Sequence, residues 1–180
     1  PVGGNHITND VAVGLRTPFA TAEEIKIAYS QALSADVDES EEIEVSVFGR
    51  RQRERISRAQ LCEIVEARLI DIFSLIQAEI KNSGYDGLLP AGVVLTGGGA
   101  QLEGIADLAA EYLKIPVRVG VPWDVDGLVD NISAPAYAAA VGLLLWEGRN
   151  GLPATELVAA PRQTRRGREG LARRQEATVY

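Results

Sequence analysis

The chain has 180 residues, 46% apolar and 24% charged, the composition of a soluble globular protein of one domain or two small ones. It has a formal charge of −7, from 18 Lys+Arg against 25 Asp+Glu. A single cysteine excludes an internal disulfide framework and fits a reducing compartment. No apolar run reaches the ~20 residues that span a bilayer, since the stretch Ala136 to Trp146 ends after eleven. The chain opens on Pro1, contains no Met and shows no signal-peptide pattern, so we expect a piece of a longer protein.

The opening Pro1-Val2-Gly3-Gly4-Asn5 reads as a turn leaving a strand. His6 to Leu15 places Ile7, Val11 and Leu15 at helical spacing. Thr21, followed by Glu23 and Glu24, predicts a second helix start, because a hydroxyl cap and early acidic residues complement its free N–H groups. Asp36 to Glu44 holds six acidic residues in nine, and Ile43, Val45 and Val47 alternate as in a half-buried strand. These acidic residues lack the Gly and ligand spacing of a calcium loop and read as solvated. Arg50, Arg51, Arg53 and Arg55 follow Gly49.

The longest predicted helix runs from about Ser57 to Ser83, with Ser57 and Gln60 as a capping-box pair and Gly84 as the stop. Its core stripe is Leu61, Ile64, Val65, Leu69, Ile72, Leu75, Ile76 and Ile80, with Cys62 beside it as a small inert hydrophobe. Val93-Val94-Leu95 predicts a strand buried on both faces. Thr96-Gly97-Gly98-Gly99-Ala100 then leads to a helix over Leu102 to Leu113 and a strand over Val117 to Val121, stopped by Pro122. Ser133 with Pro135 begins a last helix reaching about Glu147. Strand, glycine turn, helix and strand in succession give an α/β pattern with a right-handed crossover.

The glycine turn lies where ligands gather in open α/β sheets. It matches neither common nucleotide motif. The dinucleotide pattern needs a third glycine at position 102, which is Leu, and the P-loop needs Lys-Ser/Thr where Ile105-Ala106 stands. On spacing alone, a phosphate or nucleotide loop and a tight structural turn both stand. The one histidine is His6, and no Cys or His pair has metal-ligand spacing. Residues 161–180 carry six Arg against Glu169 and Glu176, a balance of +4, leaving −11 on the other 160. So acidic a body argues against nucleic-acid binding, and so polar a tail predicts a disordered linker over 151–180.

Several runs in family order then converge. They are Gly3-Gly4-Asn5-His6-Ile7-Thr8-Asn9-Asp10, Gly14-Leu15-Arg16-Thr17-Pro18, Ala22-Glu23-Glu24-Ile25-Lys26, Glu66-Ala67-Arg68, Val93 to Gly104, Val117 to Pro122, and Tyr137 to Leu145. Over about residues 1–148 the chain resembles the bacterial FtsA family. That resemblance implies the C-terminal half of the actin/Hsp70-like (ribonuclease H-like) α/β fold. Subdomain 2A would take residues 1–30 and 90–150, with subdomain 2B inserted over 31–89.

It also implies an ATP site whose adenosine side is Gly97, Gly98, Gly99 and Ala100, with Lys26 and Glu23 against adenine and ribose. Mg2+ and the phosphate hairpins would belong largely to the N-terminal half. Hydrolysis is weak or absent in the family, and we expect this piece alone to be inactive. The implied partners are the C-terminal tail of FtsZ, a second copy in a filament, other division proteins and the inner membrane, at the division site on its cytoplasmic face. Arg58 and Arg68 are the candidate contacts for the tail, because a guanidinium fork matches carboxylates. Arg50 to Arg55 have Asp36 to Glu44 as an equally good internal destination. Other actin-superfamily members, a pilus-assembly ATPase-like protein or a small-molecule kinase, are the alternatives.

Overall fold

The computed structural model describes residues 2–50, 52–123 and 132–150. Helix α1 spans Gly4–Gly14 and buries Ile7, Thr8 and Val11, one face at three- and four-residue spacing. It begins two residues before the expected His6. Helix α2 spans Phe19–Tyr29 and buries Ala22 and Ile25. Thr21 is not its cap. The chain enters the helix at Pro18, whose φ of −58° suits a helix start and whose carbonyl accepts the Ala22 N–H at 2.9 Å. Thr21 therefore lies inside the first turn.

Strands β1 (Glu42–Val45) and β2 (Glu54–Ser57) form an antiparallel hairpin in which Ile43 faces Ile56. Ile43 and Val45 are buried as the alternation requires, but the strand stops before Val47. Helix α3, Arg58–Asn82, follows β2 directly. Its expected capping box does not form, since Ser57 makes no side-chain cap bond. The hairpin supplies the acceptor instead, for Arg58 N–H donates to the Glu41 carbonyl at 2.8 Å.

The buried ladder of α3 is Leu61, Cys62, Val65, Leu69 and Phe73, while Leu75, expected in the stripe, is 52% exposed. The reason is helical drift. Steps of four residues advance about 40° around the axis, which carries Phe73 into the core and leaves Leu75 outside it. Ile64, Ile72 and Ile76 pack on the core from its margin, and the Phe73 ring meets Tyr112 with centroids 6.4 Å apart.

Strand β3 (Val93–Leu95) pairs in parallel with β4 (Val117–Val119), joined through helix α4 (Ile105–Leu113), which buries Ile105, Leu108, Ala109 and Leu113. Val94 is 46% exposed, so β3 is not buried on both faces. Leu95, Val117 and Val119 pack towards the core, while Val94 alternates onto the other face of this two-stranded sheet. The α4 start falls three residues later than expected because Gly98–Gln101 forms a tight 3-10 turn first. A second 3-10 turn, Pro135–Tyr137, precedes helix α5, Ala138–Asn150.

The chain divides into two compact units, Pro1–Gly142 and Leu143–Tyr180. In the first, one apolar cluster joins α1, α2, β1, α3 and α4, with Val11, Ala22, Leu61, Val65 and Ala109 at 0% exposure. The residues expected as 2A and 2B thus share a core. Of the second unit only the continuation of α5 is described. The expected linker over 151–180 lies outside the described residues.

Candidate functional site

The glycine turn begins where β3 ends. Thr96 Oγ1 donates towards Pro135 O at 3.1 Å, and Gly97 N–H donates to the same carbonyl at 2.9 Å. At Gly97 the φ of +92° is the left-handed region that side chains avoid, so the chain can turn there into the 3-10 segment. The four expected loop residues then separate. Gly98 and Gly99 line a cleft of about 860 Å3, whereas Ala100 turns inward at 5% exposure.

The adjoining wall is the start of α1. The Cα atoms of Gly4 and Gly99 are near neighbours, for a Cβ on Gly99 would lie 3.9 Å from Gly4 Cα. Gly3, Asn5 and His6 continue this wall, with the His6 ring accepting the Gly3 N–H at 3.3 Å. Two glycine backbones thus meet side by side at one end of the cavity. Such a pair lets a ligand approach main-chain N–H groups closely.

Helix α2 forms the third side. Lys26 Nζ, on a side chain only 13% exposed, donates to Glu23 Oε2 at 2.7 Å and to Thr8 Oγ1 at 2.9 Å. Thr8 in turn donates to Glu23 Oε2 in a short contact. Burial pushes the Glu23 carboxyl up, but hydrogen bonds from Lys26 and Thr8 and the Lys26 charge outweigh it and leave the group below the usual glutamate range. Glu23 is therefore held ionised beside a cation, both on the cleft wall. Tyr29, Ser30, Gln101 and Glu103 extend the lining, and Ala32 N–H donates to Glu103 O at 2.8 Å, tying the α2 exit to the glycine turn.

Arg58 also borders this cleft. Its guanidinium donates to Tyr29 O at 2.8 Å, Glu41 Oε2 at 2.6 Å and Gln31 Oε1 at 3.3 Å. The Glu41 hydrogen bond outweighs burial and keeps its pKa raised. Arg68 instead forks onto both Asp10 oxygens, clamping α3 to α1, with Asp71 3.4 Å from its Nη1. Both arginines expected to meet a partner thus hold carboxylates of this chain. Arg55 approaches Glu42 at 3.7 Å and Glu44 at 3.9 Å but stays 71% exposed, and Arg50 pairs with Glu54.

Of the residues that the resemblance implies for the site, Glu23, Lys26, Gly98 and Gly99 line one cleft and Gly97 and Ala100 do not, while Gly3 to His6, Thr8 and the cleft-facing side of Arg58 are additions from the structure. The first of these was legible, because two glycines before an amphipathic helix make a helix N-terminus open to ligands. Thr8 carries no such signal, since its role depends on a residue fifteen positions away. Among the described residues no three His, Cys, Asp or Glu converge as a metal site, and no helix is long and apolar enough to cross a membrane.

Residues 1–142 match the family model described as cell division protein FtsA. Curated relatives of that name include one from Pseudomonas aeruginosa, 47% identical over 146 residues, 81% of this chain and 35% of the relative. One from Escherichia coli K12 is 38% identical over 151 residues, covering 80% and 36%. The chain therefore spans about a third of the length of these relatives. Among solved structures, MreB5 of Spiroplasma citri bound to ADP superposes with a TM-score of 0.63 at 18% identity, over 82% of this chain and 45% of that one. The MamK double helical filament superposes at 0.50 with the same identity, over 77% and 42%. These likenesses show part of an actin-like fold.

Proposed function

The chain belongs to the FtsA family of cell-division proteins, and from that premise we propose that it forms the nucleoside-side wall of an ATP site in an actin-like scaffold. One observation carries this reading: Gly98, Gly99, Gly4, Lys26 and Glu23, drawn from three separate segments, line a single cleft. Adjacent glycine backbones, with no side chains in the way, suit a phosphate chain that must come close to the main chain. A fixed ammonium and an ionised carboxylate suit the hydroxyls and ring nitrogens of a nucleoside. Superposition on an ADP-bound actin-like structure supports the same assignment. Mg2+ and the catalytic carboxylates would come from parts of the protein beyond these residues. The chain by itself would then bind ATP weakly and not hydrolyse it, because phosphoryl chemistry needs the whole preorganised clamp.

The scaffold would assemble with its own copies and other division proteins at the division site, and tether the FtsZ tail to the cytoplasmic face of the inner membrane. Arg58 and Arg68 would then meet the tail by exchanging their internal carboxylates for the partner's. The nucleotide reading is tested by titrating ATP into the full-length protein in a calorimeter. We expect Lys26→Ala to weaken binding about tenfold or more, the loss of one charge-assisted contact. Wild-type protein that is folded and binds no ATP overturns the reading.

A further inference from the structure

Thr8 is a hydroxyl with 0% exposure in the middle of α1, and a buried hydroxyl must find partners or destabilise the fold. It has three. Its oxygen accepts a hydrogen from Lys26 Nζ at 2.9 Å. Its single hydrogen has two acceptors within reach, Glu23 Oε2 in a short contact and Gly4 O at 3.1 Å. A threonine hydroxyl owns one hydrogen, so only one of these bonds exists at a time.

We propose that Thr8 is the positioning residue of the cleft, a swivel that fixes Lys26 while leaving Glu23 able to move onto the hydroxyls of a bound nucleoside. With the cleft empty, the Thr8 hydrogen points at Glu23. When a ligand draws the half-exposed Glu23 carboxylate away, the hydroxyl rotates to Gly4 O and still accepts from Lys26. No buried polar atom is stranded in either position. Lys26 itself reaches Gly4 O at 3.4 Å, so the carbonyl that would receive the rotated hydroxyl already lies beside the amine. Valine has nearly the shape of threonine but neither bond. Serine keeps both.

The inference rests on the nucleotide reading above, and two readouts separate them. The first needs no nucleotide: limited acylation of the full-length protein followed by mass spectrometry reports how well the Lys26 amine is held. Thr8→Val is expected to raise Lys26 acylation about threefold or more, and Thr8→Ser to leave it unchanged. The second is ATP titration, in which Thr8→Val is expected to lower affinity about tenfold, as for loss of hydrogen bonds to charged groups. Thr8→Ser should stay within about twofold. In a Lys26→Ala background Thr8→Val should add little further loss, because its effect runs through that amine.

Unchanged Lys26 acylation in folded Thr8→Val overturns the positioning role, whatever happens with ATP. An equal loss of affinity with and without Lys26 does so too, since it marks a general structural defect. Raised acylation together with no ATP binding by wild type leaves the swivel in place and removes its assignment to nucleotide.

Discussion

Replacing Gly92 by Ala and comparing it with Gly84→Ala separates conformational strain from steric exclusion. Both glycines have a φ of +76°. An added Cβ meets nothing within 4 Å at Gly84, but at Gly92 it would sit 1.9 Å from the Pro116 carbonyl oxygen. Holding an L side chain in the left-handed region costs about 1–2 kcal/mol at either site. The unfolded chain loses a similar amount of freedom in both variants, so that term cancels in the difference. At Gly92 the carbonyl must also retreat by more than ~1 Å, and it is the acceptor for Val93 N–H at 2.9 Å, at the head of the β3–β4 ladder. Losing that bond and leaving its groups badly paired costs about 1–3 kcal/mol more. We therefore expect Gly92→Ala to lose about 1–3 kcal/mol more stability than Gly84→Ala. Urea unfolding followed by far-ultraviolet circular dichroism measures both. Equal losses would refute the steric argument and mean that the Gly92–Pro116 approach relaxes freely.

Two other outcomes follow from single side chains. Burial pushes the Cys62 thiol up, against the lowering effect of the Gln31 N–H bond and the Arg58 charge. A thiol held protonated in the folded state adds stability below the unfolded thiol pKa and loses it as pH rises through the folded one. Stability should therefore fall above the ordinary thiol range, and Ellman's reagent at neutral pH should react at least about tenfold faster after unfolding, with equal rates contradicting the burial. For the partner reading, anisotropy of a labelled FtsZ tail peptide is expected to show binding that weakens with salt and with Arg68→Glu. Asp10→Asn, which frees the guanidinium without removing it, should preserve or strengthen binding, and a loss there equal to that of Arg68→Glu would remove Arg68 as the contact.

Periodicity made the fold legible wherever one residue spacing governs burial. The faces of α1 and α3, the Ile43/Val45 alternation and the β3–α4–β4 unit all follow from it. Errors came where a distant segment overrode a local rule. The Ser57 cap yielded to the Glu41 carbonyl, a partner that exists only once the hairpin has closed. Leu75 lost its place to Phe73 because a stripe written at mixed spacings ignores the drift along a 25-residue helix. Val94 has the residue type of a buried strand, whereas its exposure depends on what lies over the sheet. At the site, the glycine run shows in the sequence as a local pattern, whereas the Glu23–Lys26 pair, an ordinary i,i+3 pair by spacing, is implied by the family resemblance alone. The burial of Ala100 and the linkage through Thr8 could not be read there, since both are set by tertiary contact.

Helix α1 presents Gly4 to the cleft at one end and Asp10 to Arg68 about 9 Å further along. Between these points Ile7 and Val11 lie in the shared core, so the helix links the two ends as one stiff element. Arg68 lies on α3, and the remaining run to Asn82 is about 21 Å. A tilt of ~5° at the clamp therefore sweeps that tip by about 2 Å, with the helix acting as a pointer. The Asp10–Arg68 fork thus welds the helix that carries the glycine wall to α3, and a tilt of α3 about it would displace the far turn most.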